Sequence, residues 1–151
     1  MTRRTALALL AGAGLAACTS GGDSDADTSP TADPDAATRA EVVAQEWALV
    51  ALYDAALTVP SGRADELTLI RDQHIEHARA LGSTPATPTP PASATVPPVP
   101  SAQDLAAAEA DAVRARVNAC SRAVGPELAR LLALIGASEA GHAAFLKAAS
   151  S

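Results

Sequence analysis

The stretch TLIRDQHIEHARAL, Thr68 to Leu81, carries the pattern that decides the fold. At 100° per residue Leu67, Ile70, His74, His77, Ala78 and Leu81 fall in one arc, while Arg71, Asp72, Glu76 and Arg79 fall outside it. The spacing predicts an amphipathic helix from about Arg63 to Leu81, ended by Gly82. Two of the three histidines of the protein lie inside its apolar stripe. A buried polar group without a partner is costly, so imidazoles aimed at a core must find partners on other segments.

Three more segments show the same pattern. Upstream, Thr38-Arg39-Ala40-Glu41 matches a capping box and opens a helix to about Leu57, before the breaker Pro60-Ser61-Gly62. Its apolar arc holds Val42, Val43, Leu49, Val50, Tyr53 and Leu57, with Glu46 near the middle. Downstream, Ser101 with Asp104 in the capping-box position begins a helix to about Val124. Leu105, Ala112, Val113 and Cys120 form its arc, and Glu109 and Arg116 sit within it. Gly125-Pro126 then makes a tight turn into a fourth helix, which ends near Ala149. There the arc is Leu128, Leu131, Leu132, Ile135 and Leu146, with Glu139 and His142 at its centre.

Between the second and third helices, residues 83–100 read STPATPTPPASATVPPVP, too rich in proline for helix or central strand. Stretched as polyproline II at about 3.1 Å per residue, such a segment reaches across a four-helix bundle. Four amphipathic helices with no strand signal predict an all-α four-helix bundle over residues 37–151, with a Pro-rich connection between helices 2 and 3. Roughly 90 helical residues suffice for one small core. That core is expected to be mostly Ala, Leu and Val, with Trp47, Tyr53 and Phe145 as its aromatics.

Each helix places acid or imidazole on its buried face: Glu46, then His74 and His77, then Glu109, then Glu139 and His142. Residues three apart on a helix are neighbours, so Glu139 with His142, and His74 with His77, can each grip one ion. This arrangement resembles the ferritin-like superfamily, whose metal centre takes a lone Glu from two helices and Glu-x-x-His from the other two. Glu46 and Glu109 match the lone acids, and Glu139-Ala-Gly-His142 matches the paired motif. On helix 2 His74 stands where that pattern has its second Glu. The resemblance covers about residues 38–149. Together with the export signal described below, it extends to the ferritin-like lipoproteins of actinobacteria, a domain family without an assigned activity.

Carboxylate and imidazole ligands together suit iron, manganese or zinc. Paired carboxylates can bridge two ions and support oxygen or peroxide chemistry, as in the ferritin-like metalloproteins. A site richer in histidine favours a single zinc- or copper-like ion. Tyr53, on the face of Glu46, is placed to hydrogen-bond a ligand. The competing reading is that the same groups satisfy one another: Glu46 with His77, Glu139 with His74, and Arg116 with Glu109 as an internal ion pair. Neither a nucleophile-and-base triad nor a Gly-rich phosphate loop is present, and Ser121 and Ser138 have no signature context. Enzymatic activity is therefore left open.

Depth along the helices bears on whether the groups meet. Counted from the turns near Ser61 and Gly125, the six residues lie about 14 to 17 positions away, or roughly 21 to 25 Å at 1.5 Å rise. With both turns at one end of the bundle they share a layer. With the turns at opposite ends, as a long crossover requires, the two half-sites are expected to be offset by about 10 Å. A two-metal centre needs about 3.5–4 Å. The linker length is compatible with either topology.

The N-terminus has the form of an export signal, residues 1–17. Arg3 and Arg4 precede a short apolar run, Ala6 to Leu15, too short to span a bilayer, and Leu15-Ala16-Ala17-Cys18 closes it. These residues resemble a bacterial lipobox, which implies an acylated Cys18 and a lipid anchor on the extracytoplasmic face of the cell membrane. Thr2 to Leu7 also resembles a twin-arginine signal without its usual aromatic, and an ordinary n-region is the alternative. Residues 18–36, acidic and rich in Ser, Asp and Pro, are expected to form a disordered tether.

Cleavage takes two arginines and no acid from 11 basic and 17 acidic side chains, leaving a mature charge of about −8 and no footprint for nucleic acid. Membrane attachment then depends on the lipid alone. Cys120 is the one thiol left, which excludes an internal disulfide; it is read as a buried, inert thiol, with an intermolecular bridge as the alternative. Two functions follow. One is a membrane-tethered metalloprotein holding one or two transition-metal ions for storage, scavenging or redox. The other is a metal-free structural or interaction module engaging another envelope component. No protein partner is named by the sequence, and a homodimer stays open.

Overall fold

A computed structural model of the chain describes residues 32–84 and 99–149. The expected export signal with Cys18, the tether up to residue 31 and residues 85–98 of the proline-rich connection lie outside the described residues. The described residues form four helices and no strand: α1 Ala36–Leu57, α2 Ala64–Ala80, α3 Ala102–Arg122 and α4 Pro126–Ala148. None of them is long and apolar enough to cross a membrane.

Local chemistry accounts for most of the helix ends. Ser101 Oγ accepts from the Asp104 N–H at 3.2 Å while Asp104 Oδ2 accepts from the Ser101 N–H at 2.9 Å, a complete capping box. Gly82 adopts φ +91°, a conformation that L side chains resist, and lets the Gly82 and Ser83 N–H groups close on the carbonyls of Arg79 and Ala78. Pro126 occupies the first turn of α4.

The start of α1 departs from expectation. The helix begins at Ala36 rather than Thr38, and its Asp35 cap makes no side-chain capping bond. The carboxylate of Asp35 instead accepts from the N–H groups of Val124 and Gly125, each at 2.8 Å. A tertiary contact to the turn between α3 and α4 has won over local capping.

That contact also sets direction. The first residues of α1 lie beside the last of α3, so these helices are antiparallel; Arg122 on Glu41 at 2.7 Å agrees. Leu67 and Ile70 pack with Leu105 and Ala106, and Leu81 packs with Ala119 and Leu128, so α2 runs the same way as α3. The chain therefore leaves α2 at one end of the bundle and enters α3 at the other, and the two hairpin turns sit at opposite ends.

The expected 10 Å offset does not follow from this topology. The turns near Ser61 and Gly125 contain non-helical residues, which add no helical rise to the depth of the site. From the helix ends, Glu46 is 11 residues before Leu57 and His74 is 10 after Ala64, roughly 16 Å. Glu109 and Glu139 each lie 13 residues from the other turn, at Arg122 and Pro126, roughly 20 Å. Those depths together make about one helix length, so the clusters nearly coincide and side-chain reach closes the rest.

Apolar packing occupies both ends. Tyr53, Ala56, Leu67, Ile70, Leu105, Ala106 and Leu146 fill the end with the α1–α2 turn. Val42, Leu81, Ala119, Leu128, Leu132 and Ile135 fill the other. Of the three aromatics only Tyr53 is a core residue. Trp47 is half-buried and donates to Ser83 Oγ at 3.1 Å, and Phe145 is exposed beneath the Arg63 guanidinium, 4.6 Å from its ring centre. Cys120 is half-buried, its thiol 3.4 Å from the Ala129 carbonyl oxygen.

Candidate metal centre

Between the two apolar ends each helix turns its polar side chains inward. Glu46 lies between Val42 and Tyr53 on α1, His74 between Ile70 and Leu81 on α2, Glu109 and Arg116 between Leu105 and Ala119 on α3, and Glu139 and His142 between Ile135 and Leu146 on α4. Glu46, His74, Glu109 and Glu139 are fully buried, Arg116 is 1% exposed, and the His142 and His77 side chains keep 9% and 16% of their surface. Helical periodicity alone puts these groups on the inner face; four such faces then close around them.

His74 is the hub. Its Nδ1 lies 2.8 Å from Glu46 Oε2 and its Nε2 lies 2.9 Å from Glu109 Oε1. Beyond Glu46, His77 Nδ1 approaches the same Oε2 at 3.4 Å. Beyond Glu109, His142 Nδ1 approaches the same Oε1 at 3.4 Å. The Tyr53 hydroxyl donates to Glu109 Oε1 at 2.5 Å, and Gln73 Oε1 accepts from His142 Nε2 at 2.6 Å. Because Gln73 Oε1 can only accept, Nε2 carries the proton, and this bond fixes how the His142 ring faces the layer.

Arg116 and Glu139 form the other part of the layer. Arg116 Nη2 lies 2.7 Å from Glu46 Oε1 and 2.9 Å from Glu139 Oε1, and Nη1 donates to Gln45 Oε1 at 2.5 Å. The expected pairing of Arg116 with Glu109 is replaced by these contacts, and Glu139 pairs with Arg116 rather than with His74. Register explains the change: Arg116 is two turns beyond Glu109, toward the end of the bundle where α1 begins. Gly136 lets α4 come close here, since a Cβ on it would stand 3.1 Å from Arg116 Cβ.

Burial works against charge throughout the layer, yet several groups hold it. For His74 the loss of solvation is outweighed by hydrogen bonds to Glu109 and Glu46 and by their charges, which push it up to about 9. At neutral pH the ring is then an imidazolium donating from both nitrogens. Glu109 is similarly carried down to about 2 by His142, His74 and Tyr53 against the opposing effect of burial. Glu46 is also lowered despite its burial, by His74, His77 and Arg116. Glu139 goes the other way: burial and the charges of Glu46 and Glu109 raise it to about 8, with Arg116 opposing. Two cations, His74 and Arg116, thus face two anions, Glu46 and Glu109, with Glu139 largely neutral.

Not every buried atom is satisfied. His77 Nδ1, Glu109 Oε2, His142 Nδ1, Arg116 Nε and both carboxyl oxygens of Glu139 have no hydrogen-bond partner. Two sets of potential ligands gather their atoms within 4.8 Å of one another: Glu46, His74 and His77, and His74, Glu109 and His142. In both sets the ligand atoms lie close enough together to reach one metal ion. Five of the six expected residues are thereby brought together; Glu139 lies beside Arg116, outside both sets. Gln73 and Gln45 were not anticipated. Their wheel positions border the apolar arcs, where a glutamine looks like any surface residue; only the neighbouring helix shows what it touches.

Comparison with known proteins adds no relative: no family model matches the sequence, and neither the curated proteins nor the solved structures give a match.

Proposed function

We propose that this chain is an exported, lipid-anchored bundle of ferritin-like type whose interior binds a transition-metal ion through His74 Nε2, Glu109 and His142 Nδ1. One observation carries the reading. Glu109 Oε2 and His142 Nδ1 are buried without partners beside His74 Nε2, so an apo-layer leaves donor atoms stranded where an ion would use them. The surroundings support it: Gln73 holds the far nitrogen of His142 and Tyr53 holds Glu109, the outer contacts by which ligands are oriented. The opposed hairpin turns fit a ferritin-like connection. Two imidazoles with one carboxylate suit iron, manganese or zinc. When bound, the ion supplies Lewis acidity, or with iron or manganese a redox centre, inside a low-dielectric layer. The chain's own residues bind it, orient its ligands and exclude water.

A second reading is favoured by one specific feature. The pairing of His74 and Arg116 with Glu46 and Glu109 balances the layer without any ion, as a metal-free interaction module would need. Metal content of the full chain, purified from medium supplemented with iron, manganese and zinc, separates the two. Stoichiometric metal whose amount drops by one ion in Glu109→Gln and in His142→Ala supports the first. A metal-free chain whose melting temperature ignores added metal supports the second. The lipid anchor is tested separately: Cys18→Ser is expected to move the protein from the membrane fraction to the soluble one.

A further inference from the structure

The polar layer is nearly symmetric about a single ring. On one side of His74 stand Glu46 Oε2 at 2.8 Å and, 3.4 Å beyond that oxygen, His77 Nδ1. On the other stand Glu109 Oε1 at 2.9 Å and, again 3.4 Å beyond, His142 Nδ1. Both outer Nδ1 atoms are buried and lack a hydrogen-bond partner. The outer rings lie 5.6 and 5.3 Å from the His74 ring and meet it edge-on, at 88° and 72°. The two ligand sets share only His74.

We propose that His74 is a bridging ligand: a second ion binds between Glu46, His77 and His74 Nδ1, across the imidazole from the ion at Glu109 and His142. The proposal rests on the metal-binding reading and extends it. Each ion replaces the proton that a His74 nitrogen now shares with a carboxylate. Both protons leave to solvent and no electron moves, so the ring becomes an imidazolate between two cations. Arg116 engages Glu46 through Oε1, which leaves Oε2 for the second ion. Two imidazole nitrogens with one carboxylate on each side suit zinc or copper(II).

Copper(II) is the probe that reads both number and connection. The full chain is loaded with copper(II), excess metal is removed, and metal content and electron paramagnetic resonance are measured. The expected result is two ions per chain with a low-temperature spin signal well below that of two isolated coppers, because an imidazolate couples them. His77→Ala is expected to hold one ion with the full signal of one copper, and His142→Ala likewise from the other side. His77 is the more exposed of the pair, so its variant remains informative if His142→Ala does not fold. One ion in the unsubstituted chain, or two with an undiminished signal, overturns the bridge and leaves the metal-binding reading standing. No copper at all overturns both.

Discussion

At the two ends of the bundle helices meet through shape, whereas in the layer between them they meet through charge. The end clusters are built of Leu, Ile, Val and Ala with Tyr53, and any apolar side chain of similar volume serves there. The middle layer buries three carboxyls, a guanidinium and two imidazoles, each in contact with a side chain on another helix. Apolar packing is tolerant and sums over area. A charged layer is all or nothing, since removing one member strands its partner in a low-dielectric interior. Six polar groups at the centre of a bundle this poor in large side chains carry a desolvation cost that more leucine would not.

The contrast is broken most severely at Arg116. Arg116→Met should lower stability by about 3–5 kcal/mol, because the buried Glu46 carboxylate loses its cation at Oε1 and Glu139 loses its contact with the guanidinium. Chemical denaturation with a circular-dichroism readout measures it. Leu132→Ala, in the apolar end beside the α3–α4 turn, should cost about 3 kcal/mol by lost burial and cavity, with no change in metal content. Tyr53→Phe removes one hydrogen bond to a charged acceptor and should cost about 1.5 kcal/mol. At the rim, Ser101→Ala should cost about 1 kcal/mol through the lost cap and leave the layer untouched.

pH sharpens the comparison further. His74 has a folded value near 9 against an ordinary 6.5, so its stabilisation is complete below pH 6.5 and is lost as pH rises through about 9. Glu139, raised from 4.5 to about 8, is an acid whose neutral form the fold prefers, so it too destabilises as pH climbs from 4.5 through 8. Glu109, lowered from 4.5 to about 2, contributes above pH 4.5 and loses that contribution as pH falls through 2. The metal-free protein should therefore be most stable near pH 5 and weaken toward pH 9, as thermal unfolding across that range will show. With metal bound the slope should flatten or reverse, since ligands bind metal in their deprotonated forms.

Much of this was legible in the sequence. Helical periodicity located four helices to within a few residues, because caps and breakers such as Ser101, Gly82 and Pro126 act locally. It also marked Glu46, His74, His77, Glu109, Glu139 and His142 as inward-facing, because an angle on a wheel needs no knowledge of the neighbours. Pairing did need it. Which cation meets which acid depends on the vertical register of two hairpins, and a few residues of turn counted as helix displaced the expected depths. Asp35 shows the same limit, being spent on a turn 90 residues away rather than on its own helix.

The claim at the centre of the account is that imidazole and carboxylate from different helices close on one ion. X-ray absorption at the metal edge of the zinc-loaded full chain tests it most directly. The expected result is a shell of two imidazoles with one carboxylate around each zinc, at about 2.0–2.2 Å, that loses imidazole scattering in His74→Ala. A shell of oxygen alone, or sulfur scattering from Cys120, would contradict it.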